Sequence, residues 1–223
     1  MSNPLTIKER LVRNTFYITY AFLITTATVT FIEAMRTNDP KIRHILNLET
    51  VISIVAGYFY TVFMNKIKDK EINYREINLT RYVDWAITTP VMLLVLCLVF
   101  VYNNNTTLTA GFYLIVLILN YVMLGFGYMG ETNIINRKLG WVIGSIAFIL
   151  LYGLLYMTFI HGQDIFDNKI IFWAFLIFWS GYGLSYNLDE ESKNIGYNIL
   201  DLFSKCFVGI FFWAYLTKVV TIF

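Results

Sequence analysis

Apolar stretches of about twenty residues recur seven times along this chain, each ended by a short polar break. A helix of that length crosses the hydrocarbon core of a bilayer. There every backbone N–H and C=O must be bonded within its own segment, so helices are the natural solution. The spans are expected at 14–36, 43–66, 79–102, 107–130, 138–160, 168–187 and 194–221, with breaks such as RTNDPK, NKIKDKEINYRE, NNNTT and ETNIINRK. The pattern predicts an all-α membrane protein, a seven-transmembrane-helix bundle occupying 1–223 as one domain. Its short connections make neighbouring helices antiparallel. Composition agrees: 57% of residues are hydrophobic and 14% charged, with a mean hydropathy of +0.59. Soluble domains carry about a quarter charged residues.

A net charge of +2 gives no footing for a nucleic-acid partner. Cys97 and Cys206 both lie in apolar runs and read as small buried hydrophobes, not as a disulfide or metal set. The start, MSNPLTIKERLVRN, lacks a short apolar core with a cleavage site, so the first span is expected to direct membrane insertion. The expected spans put ten basic residues on the N-terminal side: Lys8, Arg10, Arg13, Lys66, Lys68, Lys70, Arg75, Arg137, Lys138 and Lys193. Five fall on the other: Arg36, Lys41, Arg43, Lys169 and Lys218. The positive-inside rule would then put the N-terminus in the cytoplasm.

Ionisable groups within a span cost several kcal/mol unless paired or hydrated, so each one is a functional candidate. Arg81 and Asp84 open the third span; Asp201 and Lys205 lie inside the seventh, four residues apart and hence on one face. That second pair reads either as an internal salt bridge or as a lysine prepared for imine chemistry with carboxylate counter-ions. Arg81, Asp84, Trp85 and Thr88 share a face at i, i+3, i+4 and i+7. Arg81 is expected to hold Asp84 ionised, and Thr88 to donate to Asp84 from one turn on. Thr89 is expected to bond back to a helix carbonyl near the gap left by Pro90, which lacks an N–H and kinks the span. Tyr60, Trp141, Trp179 and Tyr182 add aromatic surface on three spans, the second, fifth and sixth. Such a stripe is ordinary packing when alone, but beside a buried lysine and two carboxylates it suits a long, flat ligand.

RYVDWAITTP from Arg81, WSGY from Trp179 and LDLFSK from Leu200 stand in the order and spacing found in microbial (type 1) rhodopsins. The chain resembles that bacteriorhodopsin-like family over all seven spans, and its short loops rich in Asn and Lys are similar to those of giant-virus rhodopsins. The resemblance implies all-trans retinal as a Schiff base on Lys205. Asp84 would be the proton acceptor and counter-ion, Asp201 the second counter-ion, and Arg81 the gating arginine. Trp85, Trp141, Trp179 and Tyr182 would box the retinal, Tyr60 would bond Asp201, and Met92 would tune colour. Thr89, Asn120, Met123 and Gly127 would complete the wall. It also implies an integral multi-pass protein in lipid with its N-terminus outside, against the loop count, and allows a homo-oligomer. Enzymatic activity is not expected.

Where outward pumps of the family have a donor carboxylate, this chain has Val95, and where they usually have a proline in the sixth helix it has Gly183. Glu49 is the nearest substitute donor, or else a carboxylate near the interface. Glu33 is expected at the interface, and Asp189, Glu190 and Glu191 as a solvated run in the position of a proton-release cluster. Outward proton translocation through Asp84 is therefore expected, with slow reprotonation. A light-gated cation channel, with Glu49, Asn47, Ser53, Asn198 and Glu33 along its wall, is the alternative, and a photosensory receptor comes third. Expressed with retinal, the protein should absorb visible light and Lys205→Ala should be colourless; a colourless wild type would overturn the reading.

Overall fold

In the computed structural model, residues 6–67 and 72–222 are described. Lys68 and Lys70, counted above among the loop charges, lie outside these residues, as do the first five. Seven helices and no strand make up the described chain: α1 Ile7–Arg36, α2 Pro40–Lys66, α3 Tyr74–Asn104, α4 Ala110–Glu131, α5 Arg137–Phe159, α6 Phe166–Ser185 and α7 Glu190–Leu216. Six are long and apolar enough to cross a membrane. The seventh, α6, has 20 residues; it opens on Asp167, Asn168 and Lys169 and closes on Trp, Ser, Gly and Tyr, which lowers its apolarity.

The helices begin where polar side chains can take up free backbone N–H groups, rather than where the apolar runs begin. Thr6 and Glu9 form a capping box that starts α1 seven residues before its expected span. Asp39 caps α2 with Pro40 in its first turn; Asn73, Thr109, Asn136 and Asp189 cap α3, α4, α5 and α7. At the far end α7 stops at Leu216 and not at 221, because the Thr217 hydroxyl turns back to the Trp213 carbonyl and Lys218 adopts φ 60°.

The third helix is the hub. In its most apolar part 61% of residues are buried, against 11% in α4, which presents its side to lipid. Helix α3 touches α2, α4, α6 and α7. Pro90 lies inside α3 and cannot donate to the Ala86 carbonyl. The Tyr121 hydroxyl of α4 donates to that carbonyl at 3.1 Å, and Tyr113 donates to the Pro90 carbonyl at 2.7 Å. Helix α7 is interrupted by a π-helical stretch, Leu202–Phe207, centred on the lysine. Wide turns of this kind leave backbone groups that need outside partners. Thr26 of α1 donates to the Cys206 carbonyl at 3.3 Å.

Two apolar clusters fill the bundle. One, around Phe16, Tyr60 and Phe63, lies toward the face shared by the start of α1 and the α2–α3, α4–α5 and α6–α7 connections, here termed the N-terminal face. The other, around Val95, Phe100, Phe175 and Phe212, fills the opposite half. Helices α4 and α5 approach so closely that a Cβ at Gly140 would stand 2.6 Å from the Phe126 carbonyl oxygen. Gly140→Ala should therefore push these helices apart and cost about 1–3 kcal/mol, seen as a lower unfolding midpoint in detergent.

Candidate functional site: a neutral charge cluster at the end of an apolar cavity

Four charged side chains meet between the two apolar clusters. Lys205 Nζ lies 2.8 Å from Asp84 Oδ2 and 3.4 Å from Asp201 Oδ1, and Arg81 Nη1 lies 3.6 Å from Asp201 Oδ2. All four are essentially inaccessible. Two cations and two anions sum to zero, which is how a bundle interior tolerates them. Removing one partner of such a set leaves an uncompensated buried charge and costs several kcal/mol.

Asp201 is the most heavily supported member. Tyr60 donates to its Oδ2 at 2.8 Å and Tyr182 to its Oδ1 at 2.6 Å. Tyr182 also meets the Ser204 hydroxyl at 2.8 Å. Arg81 bonds the Asn198 side chain, donates to Asn194 Oδ1 at 3.3 Å, and stacks against Phe16 and Phe63 at 5.1 and 4.9 Å from their ring centres. The guanidinium is thus held by cation–π contacts as well as by hydrogen bonds.

Asp84 pairs with Lys205, as the resemblance implies for a counter-ion, whereas the ion pair of Arg81 is with Asp201 and not with Asp84. The expectation for Thr88 is corrected. Thr88 donates to the main-chain carbonyl of Asp84 at 2.9 Å, not to its carboxylate. The reason is helical geometry: a threonine four residues on reaches the i−4 carbonyl more directly than the side chain. Thr89 bonds back to the Trp85 carbonyl at 2.7 Å, as expected, and Asn120 donates to its hydroxyl at 2.9 Å. Asp84 Oδ1 has no hydrogen-bond partner among the described residues.

A cavity of about 370 Å³ runs from Lys205 between α3, α4, α5 and α6. Trp85, Thr89, Met92, Met123, Gly127, Trp141, Trp179 and Tyr182 all line it, together with Phe148, Ser145 and Tyr197. Trp141 is fixed by a 2.8 Å bond from its indole to the Gly183 carbonyl. Tyr60 stands outside the cavity wall and acts on Asp201. Glu49 also lies outside it, only 3% exposed, in a seam between α1, α2 and α7. Of the two readings of Glu49, this burial does not fit a carboxylate snorkelling to the interface; Glu33, partly exposed and 3.0 Å from Arg36, does lie at a helix end. Volume, apolar walls and a terminal amine fit a conjugated aldehyde such as retinal.

A match to the model of bacteriorhodopsin-like proteins covers residues 11–219. The chain belongs to the bacteriorhodopsin-like family. Its structure is similar to that of viral rhodopsin OLPVRII, with 49% identity, a TM-score of 0.89, and coverage of 95% of this chain and 100% of that one. Thermophilic rhodopsin shares the fold at 23% identity and a TM-score of 0.77, over 96% of each chain. Among curated relatives, Opsin-1 of Neurospora crassa is 29% identical over 64% of this chain and 50% of its own length. Green-light absorbing proteorhodopsin of Gamma-proteobacterium EBAC31A08 is 24% identical over 62% of this chain and 61% of its own. The matches thus span about half to three-fifths of these curated relatives.

Within this rhodopsin site, Asn194, Tyr197, Asn198 and Ser204 were not singled out as members of the charge cluster by sequence reasoning. The signal was present: Asn194, Tyr197 and Asn198 stand seven, four and three residues before Asp201, on its face of α7. Tyr60→Phe and Tyr182→Phe each remove one donor to a buried carboxylate. Each should cost about 1–3 kcal/mol, read as a lower thermal midpoint, with less than additive loss in the double variant.

Proposed function

We propose that this protein is a light-driven transporter that moves protons outward, with all-trans retinal held covalently by Lys205. The observation that carries the reading is the 2.8 Å contact between Lys205 Nζ and Asp84 Oδ2 inside a charge-neutral cluster. Retinal supplies light absorption and a change of shape at the lysine nitrogen. The remaining work falls to side chains of the chain itself.

Asp84 stands in position to take the proton carried at Lys205 Nζ, and its free Oδ1 leaves it room to turn away from the nitrogen afterwards. Asp201 stays in place as the second counter-charge because two tyrosines hold it. Arg81 separates this pair from the N-terminal face, and a guanidinium does not give up its proton in proteins. It therefore blocks return along the same route while leaving an electrostatic means of drawing the proton outward. On the other side, Val95, Leu96, Val99, Phe100 and Phe212 are fully buried and form a dry plug. Resupply of the nitrogen is slow across such a plug, and Glu49 offers a way round it. Its Oε2 lies 3.1 Å from where a Cβ of Gly209 would stand, four residues beyond Lys205 on α7. With protons leaving past Arg81, the N-terminal face is the outer one; protease access to the N-terminus on intact cells tests this.

A second reading, a light-gated cation channel, draws on the seam around Glu49. Thr30 and Thr50 hydroxyls meet there at 2.8 Å, and Ser53 Oγ is buried without a hydrogen-bond partner among the described residues. Voltage clamp separates the two: a pump current keeps its sign across a wide voltage range, whereas a channel current reverses near the ion's equilibrium potential. Asp84→Asn should abolish light-driven acidification of the medium. Glu49→Gln should slow recovery of the dark state by roughly 10²-fold; an unchanged recovery would remove Glu49 from the path.

A further inference from the structure

Beyond Arg81, toward the N-terminal face, a second group of charges lies apart from the cluster around Lys205. Lys193, read from the sequence as one of the loop cations, is fully buried in the first turn of α7. Its ammonium donates to Glu131 Oε1 and to Glu190 Oε1, both at 2.8 Å. The same two carboxylates share another donor, for Asn78 Nδ2 bonds Glu131 Oε1 at 2.9 Å and Glu190 Oε2 at 2.6 Å. Asn194 donates to Asn78 Oδ1 at 3.1 Å and accepts from Arg81 at 3.3 Å. Polar contacts therefore run unbroken from Asp201 through Arg81 to the carboxylate pair. Glu190 is not the freely solvated residue that a charge run suggests.

Two carboxylates gathered on one amide nitrogen need something positive between them, either a shared proton or a cation. A shared proton would make the pair a store that could be discharged whenever Arg81 moved. In this chain an ammonium stands there instead, bonded to both. Other charges also face the pair. Arg137 of α5 forms a second, longer ion pair with Glu131, 3.7 Å from Oε2, and around Tyr74 the charges of Glu9, Arg13 and Glu191 gather with that of Glu190. On the α1 side Lys8 is taken up by Asp189 at 3.6 Å. Two asparagines and an arginine link the pair to Asp201, and none of the three is a carboxylate that could itself hold a mobile proton.

We propose that Lys193 occupies the place of a stored proton between Glu131 and Glu190, so that the path beyond Arg81 ends in a closed salt bridge and contributes no proton of its own when light acts on the site. This rests on the transporter reading above and assigns Lys193 as a positioning residue for it. Release at the N-terminal face then waits until Asp84 itself gives up its proton. Removal of the ammonium should convert the pair into a proton store.

Infrared spectroscopy of the dark, retinal-loaded protein tests the assignment, together with flash excitation beside a pH-sensitive dye. Lys193→Met should gain a protonated-carboxyl stretch that disappears on adding Glu131→Gln, and should gain an early proton release that the wild type lacks. A wild type that already shows such a band, lost in Glu131→Gln or Glu190→Gln, would overturn the assignment, as would a Lys193→Met protein with neither gain. Should Lys193→Met fail to fold, the two single Gln variants decide: an unchanged protonated-carboxyl region supports the lock, a lost band removes it. The dark spectrum is independent of transport, so a wild type that moves no protons in light would sink the transporter reading and leave the infrared result standing.

Discussion

Four charges buried in an apolar bundle hold one another in place, and most of the structure can be understood as support for them. Lys205 and Asp84 meet across α7 and α3, and Arg81 and Asp201 meet across the same two helices. Neither pair is secure alone in a medium that cannot hydrate it. Together they are neutral, and the donors around them satisfy the remaining oxygens of Asp201. The four positions are therefore mutually dependent: displacement of any one charge alters what the other three require.

The backbone bends to serve this cluster. A π-helical stretch carries Lys205, and Thr26 takes up a carbonyl that the wide turn releases. Pro90, six residues beyond Asp84, opens a gap in α3, and a tyrosine from α4 fills it. Irregular backbone of this kind survives in a membrane only where side chains supply the missing bonds. Both irregularities lie next to the cavity, where a ligand attached to Lys205 would change shape.

Polar groups are distributed unequally about the cluster. Toward the N-terminal face a connected set of polar side chains extends from Arg81 to Glu131, Glu190 and Lys193. In the opposite half the packing next to the cluster is aliphatic and aromatic, with Glu49 set aside in the α1–α2–α7 seam; polar contacts between α3, α6 and α7 return at their far ends, where Asn103, Asn168, Asp167 and Tyr215 bond one another. Hydrogen-bonding groups thus lie on one side of the cluster and an apolar barrier on the other. That asymmetry is what the proposed directional transport would use, and it comes from the residues in the two halves rather than from the fold, which relatives share at low identity.

The number of helices, their membrane character and the spacing of Asp201 and Lys205 were all legible in the sequence, because hydropathy and helical period act along the chain. So was part of the cavity wall: three short motifs supplied Trp85, Thr89, Trp179, Tyr182 and Lys205, and the resemblance they carry added Met92, Met123, Gly127 and Trp141, while Ser145, Phe148 and Tyr197 were not singled out for it. Pairing across helices was legible only through the family resemblance, which implied Asp84 as counter-ion at Lys205 and Tyr60 bonded to Asp201; spacing along the chain paired Arg81 with Asp84 instead. Arg81 and Asp84 are neighbours on one helix, yet each finds its partner on α7, since register and rotation between helices decide which oxygen an ammonium or guanidinium reaches. Lys193 makes the same point: beside Asp189, Glu190 and Glu191 it reads as a solvated loop charge. Only the approach of α4 and α3 brings Glu131 and Asn78 over it and turns a surface cation into a buried lock.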